Sequence, residues 1–256
     1  MRRRFGRIAA AAGLCAAAGA AILAAGCGTL SDVVSPAAAR GAAADATQRS
    51  PSTPDCRVRK CVALTFDGGP SRPTPTLLDI LDEENVPATF FVQGKGHTDT
   101  YPATLRRMAD EGHEIANHTW SHKVLTDLGA EEVADEMKPV QDDVRRITGR
   151  TPTLMRPPQG RTSDEVSAVM KELGLAQVLW SVTAKDYATD DTELIRRRVL
   201  DGTRRDGIVL LHERYAGTIP AVPGIIGTLR DRGYTFVTVS QLLAPAVPQP
   251  GAVYRP

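Results

Sequence analysis

The sequence predicts an α/β fold in a single domain, and two observations carry this prediction. Short β-branched or apolar runs alternate about seven times with longer segments of helical spacing, which is typical of parallel strands covered by helices. Nothing between residues 55 and 243 looks like a second linker. The alternation is compatible with a closed barrel or with an open, doubly wound sheet. A dinucleotide site has no support, because no Gly-x-Gly-x-x-Gly follows a strand-like run.

The individual elements follow from hydrophobic periodicity and from the residues that begin and end helices. Strands are expected over residues 61–66, 88–92, 114–116, 153–155, 176–182, 208–211 and 234–237. Helices are expected over residues 74–84, 103–111, 130–148, 163–173, 192–201 and 223–232. Pro139 should kink the third helix or divide it in two, since proline removes a helical hydrogen bond.

The N-terminal part of the chain is predicted to export the protein. Four Arg precede an uncharged, Ala-rich stretch, so residues 1–26 resemble a signal peptide. A permanent membrane-spanning helix is the alternative, although Ala favours lipid far less than Leu or Ile does. Residues 27–54 and 244–256, rich in small residues and Pro, are expected to be a flexible linker and a disordered tail around a domain at 55–243.

Cys27 is predicted to carry a lipid anchor. The preceding residues 23–26 resemble a bacterial lipobox, although Leu23 lies one position further from the cysteine than is usual. The chain would then be a lipoprotein on the outer side of the cytoplasmic membrane. Ordinary cleavage near Ala25, which would give a secreted protein, is the alternative.

Cys56 and Cys61 are predicted to form a disulfide. Two cysteines in an exported chain are more often oxidised than metal-binding, and four intervening residues let the chain turn back on itself. A metal site at this place would lack nearby His or Cys partners.

The charge composition indicates which kinds of partner the protein can bind. The 31 basic and 30 acidic residues give a formal net charge of +1, so a surface for nucleic acid is not indicated. We expect a monomer.

Polar residues follow several of the predicted strands. They are Asp67, His118, Arg156, Asp186 and His212. In an α/β barrel such positions converge on one mouth, where catalytic groups lie. The sequence therefore predicts one active site built from five strand ends.

His118 and His122 are four residues apart and would share one face if the segment begins a helix, as a metal-binding pair requires. The plainer interpretation is two histidines that are solvated or cap the core. His97 and His113 have no such partner and are interpreted as structural.

Five ordered segments resemble the motifs of the polysaccharide deacetylase family, also called the NodB-homology group or carbohydrate esterase family 4. They are 65–70 (TFDGGP), 118–122 (HTWSH), 156–160 (RPPQG), 186–187 (DY) and 210–212 (LLH). The resemblance covers essentially the whole predicted domain. It implies a distorted (β/α) barrel with parallel strands that holds one divalent metal, often zinc, and removes acetyl groups from an acetylated polysaccharide.

The resemblance also implies roles for these residues. Asp67 would be the general base and Arg156 its partner. His118 and His122 would be metal ligands, and Asp186 would orient His212 as the general acid. The backbone N–H of Gln159 would share the oxyanion with the metal, and Pro158 and Tyr187 would help to form the substrate site. Amide hydrolysis does need a Lewis acid, an activated water and a proton donor for the amine.

The sequence departs from the family pattern at four positions. Gln159 stands where Tyr is usual, Thr183 replaces an Asp, and Tyr187 replaces a Trp. Gly68 occupies the place of the metal-binding Asp, which removes one of three protein ligands. We therefore expect a weakly held metal, and tighter binding in Gly68→Asp unless the φ angle of Gly68 is positive.

Three functions remain open at this stage. The first is a metal-dependent deacetylase of cell-wall or related N-acetylglucosamine polymers such as peptidoglycan or chitin. The second is a catalytically weak or inactive relative that binds glycans, because of Gly68. The third is an esterase for O-acetyl groups of plant xylan, since the same groups can cleave an easier bond.

Overall fold

The computed structural model describes residues 33–43 and 53–256, and their strands form one curled parallel sheet covered by helices. The predicted distorted (β/α) barrel with parallel strands is therefore confirmed. The predicted signal peptide and Cys27 lie outside the described residues. Within the described ranges, no helix combines the length and the apolar character that crossing a membrane requires.

The sheet contains ten strands in the described part of the chain. In chain order these are β1 (Val33–Val34), β2 (Lys60–Gly69), β3 (Thr89–Val92), β4 (Glu114–Asn117), β5 (Leu154–Met155), β6 (Ala176–Val178), β7 (Val182–Thr183), β8 (Gly207–Leu211), β9 (Tyr234–Phe236) and β10 (Val253–Tyr254). Their spatial order is β1-β10-β6-β5-β4-β3-β2-β8-β7, and β9 pairs with β2. Every pairing is parallel, so the carboxyl ends of neighbouring strands open on the same edge.

Eight α-helices accompany these strands in the described residues. They are α1 (Pro36–Ala42), α2 (Thr74–Glu83), α3 (Pro102–Asp110), α4 (Ala130–Thr148), α5 (Asp164–Glu172), α6 (Thr192–Gly202), α7 (Thr218–Asp231) and α8 (Val239–Leu243). Side chains cap several of them: Ser163 accepts from an amide in the first turn of α5, and Asp191 does the same for α6.

Strand β2 is the centre of the sheet. All of its residues after Lys60 are buried, because strands pair with it on both edges and helices cover the sheet. Phe66 of this strand stacks on Phe90 of β3 with ring centroids 5.4 Å apart. This packing fixes the strand end from which the first motif enters the site.

Of the two outcomes expected at Pro139, division of the helix does not occur, because α4 is a single helix that contains this residue. Two other element predictions differ from the structure. Helix α7 begins at Thr218, so Pro223 lies inside it rather than at its first position. The strand expected over residues 176–182 is two short strands, β6 and β7, which lie at different places in the sheet.

The segments that flank the predicted domain are ordered where the structure describes them. The prediction of a disordered tail over 244–256 is wrong, because β10 inserts between β6 and β1 and its Tyr254 is only 3% exposed. The flexible linker predicted over 27–54 also fails at residues 33–43, which form β1 and α1. The edge of β6 offers backbone groups with which β10 pairs, and β10 in turn offers its other edge to β1.

We expect Tyr254→Ala to lower the free energy of unfolding by about 2–4 kcal/mol, because the ring is buried beside β6. Val247→Ala is the matched control in the same segment. Val247 is 70% exposed, so its loss should change stability by less than about 0.5 kcal/mol. Urea unfolding of both variants measures this, and equal midpoints would show that the tail is not part of the folded sheet.

The predicted disulfide between Cys56 and Cys61 is present. Both cysteines are fully buried, and their Cα atoms are 5.5 Å apart. The bridge lies at the amino end of β2, at the opposite end of the strand from the candidate site.

Candidate active site

The sequence-predicted site residues meet in one cleft of about 360 Å³ at the carboxyl ends of the strands. The described residues that line it are Asp67, His118, His122, Pro157, Gln159, Trp180, Thr183, Tyr187, Leu210, His212, Arg214 and Tyr215. Arg156 and Asp186 lie buried behind this lining. Pro158 is buried as well, and Pro157 lines the cleft in its place.

Asp67, near the end of β2, is held by Arg156, which follows β5. The Nη1 atom of Arg156 donates to Oδ1 of Asp67 at 2.6 Å and to the hydroxyl of Thr65 at 2.8 Å. The guanidinium is fully buried and lies 4.0 Å from the ring centroid of Phe91. The pairing compensates the buried arginine charge and leaves Oδ2 of Asp67 on the side of His118.

His212, which follows β8, is held by Asp186, which follows β7. The Nδ1 atom of His212 donates to Oδ1 of Asp186 at 2.8 Å, and the backbone N–H of His212 donates to Oδ2 at 2.7 Å. Thr218 also donates to Oδ2, so the buried carboxylate is fully occupied. This fixes the imidazole so that its Nε2 atom is the one available to the cleft.

The electrostatics of this pair favour the imidazolium. Burial by itself would lower the pKa of His212, but the hydrogen bond to Asp186 and the charges of Asp67 and Asp186 outweigh it and raise the pKa. A histidine with a raised pKa can keep its proton near neutral pH and can deliver it to a leaving group.

His118 and His122 come together, but not on a helix. The segment from 118 to 122 is a loop in which Thr119 and His122 have φ angles of +70° and +62°. The two imidazole centroids are 4.9 Å apart. The ring of His118 donates from Nδ1 to the carbonyl of Arg156 at 2.8 Å, which leaves Nε2 as the free lone pair.

Buried polar groups hold this loop in its strained form. The carboxylate of Glu136 on α4 accepts from the backbone N–H and the hydroxyl of Ser121. The side chain of Asn117 accepts from the N–H of Thr119 and donates to the carbonyl of Met137. Sequence reasoning missed Glu136, because an acid on a helix gives no sign of which loop it contacts.

The environment of both imidazoles favours their neutral form. Burial lowers the pKa of His118 to about 4. Burial also lowers the pKa of His122, and the charge of Arg214 lowers it further. Neutral imidazole is the form that binds a metal ion.

Gln159 has a φ angle of +59° and is exposed at the cleft, in the short turn after Arg156. Tyr187 is 56% exposed, and its ring centroid lies 6.1 Å from that of His212. Thr183 also lines the cleft. These three departures from the family pattern therefore all face the same space.

The backbone conformation of Gly68 disfavours a side chain at this position. Its φ angle is +79°, so the condition under which Gly68→Asp would be tolerated without strain is not met. A Cβ atom built at this position would lie 3.4 Å from Nη1 of Arg214. A guanidinium therefore stands where the side chain of a third ligand would extend.

Arg214 and Glu213 were not singled out by sequence reasoning, although they directly follow the last motif. Glu213 is 1% exposed and accepts a hydrogen bond from Thr74 at 3.1 Å. Burial raises the pKa of Glu213 to about 7. Arg214 is exposed at the cleft, and no ion pair to it is found among the residues that the structure describes. The sequence signal that could have identified Glu213 and Arg214 is their position directly after His212, the last residue of the last motif.

The donor set fits a divalent ion through two imidazoles. His118 has a free Nε2 atom and donates from Nδ1 to the carbonyl of Arg156, as metal-bound histidines donate from their other ring nitrogen. The described residues contain no group of three or more His, Cys, Asp or Glu side chains placed to hold a metal. With Gly68 in place of a carboxylate and Arg214 beside it, the site fits a weakly held ion.

Replacing Asp186 with Asn should move the pH dependence of any hydrolysis in this cleft. The variant loses the carboxylate that raises the pKa of His212, so the imidazolium would lose its proton at a lower pH. The alkaline limb of the kcat profile should therefore shift to lower pH, with a lower maximum. An unchanged profile in a folded variant would show that Asp186 does not govern His212.

Comparison with known proteins agrees with this geometry. A family model described as polysaccharide deacetylase matches residues 55–178. The chain is 37% identical over 199 residues to the chitooligosaccharide deacetylase of Bradyrhizobium sp. (strain ANU 289), covering 72% of this chain and 90% of that protein. The chain belongs to the polysaccharide deacetylase family. Enzymes of this family generally depend on a divalent metal.

Two further similarities extend the comparison. The chain is 36% identical over 193 residues to the peptidoglycan-N-acetylglucosamine deacetylase PgdA of Listeria monocytogenes serotype 1/2a (strain 10403S). That match covers 75% of this chain but 41% of PgdA, so the chain spans less than half of that relative's length. A solved structure of T48 deacetylase with substrate superimposes with a TM-score of 0.75 at 39% identity, over 78% of this chain and 99% of that one.

Proposed function

We propose that this polysaccharide deacetylase family member removes N-acetyl groups from polymers that contain N-acetylglucosamine, such as peptidoglycan or chitin-like glycans. The observation that carries the proposal is the pair of titratable groups in one cleft, each positioned by a buried partner: Asp67 by Arg156 and His212 by Asp186. The relatives described above, which act on peptidoglycan and chitooligosaccharide by name, support the same reaction.

The chemistry assigned to these residues is hydrolysis of the acetamide. Asp67 takes a proton from a water molecule as that water attacks the acetyl carbonyl carbon. The backbone N–H of Gln159 donates to the oxyanion that forms. His212 then protonates the sugar nitrogen from Nε2 as the carbon–nitrogen bond breaks, and the products are acetate and a free amine.

A divalent ion, with zinc as the proposed identity, would be held weakly by His118 and His122. When bound, it supplies Lewis-acid polarisation of the acetyl carbonyl. Arg156 keeps Asp67 in place through the hydrogen bond from Nη1 to Oδ1. Trp180 and Tyr187 line the cleft and provide aromatic surface for a sugar ring.

The protein would act on its glycan substrate outside the cytoplasm. The N-terminal sequence supports export through residues 1–26 and attachment to the cell membrane through a lipid at Cys27. A tethered domain of this kind has the cell wall as its nearest polymer. Cys27→Ser should shift the protein from the membrane fraction to the medium, and membrane retention of that variant would indicate an uncleaved helix.

A glycan-binding relative without turnover is the second candidate, and the guanidinium of Arg214 beside Gly68 is the observation that favours it. Acetate release from N-acetylglucosamine oligomers and peptidoglycan, measured beside acetylated xylan with added zinc, separates the functions. We expect acetate from the N-acetylated glycans. Release from xylan alone would establish the O-acetyl esterase, and glycan binding without any release would establish the binding relative.

A further inference from the structure

A second cavity of about 220 Å³ adjoins the cleft at Trp180. The described residues that line it are Gln159, Gly160, Leu179, Trp180 and Arg255. Gln159 and Trp180 line both cavities, so the two spaces are neighbours. The mechanism described above makes no use of this space.

The C-terminal segment supplies the charged group of this cavity. Strand β10 lies between β6 and β1, and the backbone N–H of Arg255 donates to the carbonyl of Val34 at 3.1 Å. The side chain of Arg255 is exposed, and no acidic partner contacts it among residues 33–43 and 53–256. The backbone of Arg255 is thus fixed beside the sheet, and its guanidinium is free to bind an anion in the cavity.

Trp180 forms the wall between the cleft and the second cavity. Its side chain is half-buried, and its ring lies against Gly160, where a Cβ atom would come within 2.9 Å of the ring. Gly160 has a φ angle of +69°, so both the space and the backbone favour glycine here. The result is an aromatic surface beside a cation, which suits a sugar ring that carries a negative charge.

The two cavities differ in how their charged lining residues are paired. Asp67 is the single carboxylate among the lining residues in the described part of the chain, and Arg156 neutralises it at 2.6 Å. Arg214 at the cleft and Arg255 at the second cavity have no such partner among the residues described. The lining of the two cavities therefore includes two arginines without an acidic partner among the residues described, one at each cavity.

We propose that the cavity between Trp180 and Arg255 binds a carboxylate-bearing sugar residue next to the sugar that loses its acetyl group. The guanidinium binds the carboxylate through paired N–H donors, and the tryptophan contacts the ring. The inference deepens the proposed function by naming the substrate as an acidic glycan. Two kinds of sugar acid carry this chemistry: a sugar with a lactyl ether, as in N-acetylmuramic acid, and a uronic acid.

The test is a binding measurement, so it does not depend on turnover. Calorimetry would compare three tetrasaccharides with the intact protein: alternating N-acetylglucosamine and N-acetylmuramic acid with free lactyl carboxylates, the same compound with those carboxylates converted to amides, and alternating N-acetylglucosamine and glucuronic acid. We expect the wild type to bind at least one acid form about fivefold more tightly than the amide form, and less so at high salt. The acid that shows this preference identifies the source of the carboxylate.

Arg255→Gln should abolish that preference while leaving the affinity for the amide form unchanged. Arg59→Gln is the matched control, because Arg59 is an exposed arginine just before the amino end of β2, away from the cleft. It should retain the full preference. Equal binding of acid and amide forms by the wild type, a preference that survives Arg255→Gln, or no binding of any glycan would overturn the inference. Acid-selective binding without acetate release would leave this inference standing and remove the proposed hydrolysis.

Discussion

His212→Ala is expected to lower kcat by about 10²- to 10⁴-fold while glycan affinity and thermal stability change little. The imidazole is the group positioned to protonate the leaving nitrogen, and Asp186 holds it from behind. Its side chain is 15% exposed at the cleft and is not part of the apolar core. Acetate release, calorimetric binding and a thermal melt on the same preparation give the three values.

A double variant tests whether Asp186 affects turnover only through His212. In the His212→Ala background, Asp186→Asn should have no further effect on kcat, because Asp186 acts on the reaction only through that imidazole. A second, additive loss would show that Asp186 contributes in another way. A variant that loses its fold along with its activity would mark His212 as a structural residue.

The second large effect concerns metal affinity. Arg214→Gln should tighten zinc binding on the order of tenfold, because it removes a positive charge next to the position of a third ligand. Gly68→Asp alone should increase the zinc affinity by less than Arg214→Gln does. The aspartate would adopt a φ angle near +79°, at a cost of about 1–2 kcal/mol, and would pair with Arg214. The two substitutions together should give the tightest site.

Competition with a chromophoric chelator measures these affinities without turnover. Arg59→Gln again serves as the control, since it removes an equal charge at the opposite end of β2. Stoichiometric zinc that stays with the wild type through dialysis against a chelator would contradict this account, because another group would then supply the missing ligand.

The sequence indicates which polar groups meet at the cleft because they lie at strand ends. Asp67 is near the end of β2, Arg156 and His212 directly follow β5 and β8, and parallel pairing places those strand ends on one edge. The roles assigned to these residues stay predictions. The sequence could not predict how His118 and His122 meet. Their loop relies on positive φ angles at non-glycine residues and on Glu136 from a distant helix.

Two arginines show a different limit of sequence reasoning. Arg214 is an ordinary surface residue by type, and only the structure places its guanidinium beside Gly68. Arg255 lies in a Pro-rich segment whose two-residue strand is too short to produce a periodic pattern. The segment is ordered because the edge of β6 pairs with it, which is a tertiary effect.

Acetate release from an N-acetylglucosamine tetramer, measured against buffered free zinc after complete removal of metal, tests the central claim most directly. Wild type and Asp67→Asn are compared at each zinc concentration, with bound glycan measured in parallel. The account predicts no release without zinc, a saturable rise only at high free zinc for the wild type, and none above background for Asp67→Asn. Glycan that binds to the wild type yet gives no acetate at any zinc concentration would contradict the assignment of this cleft as a deacetylase active site.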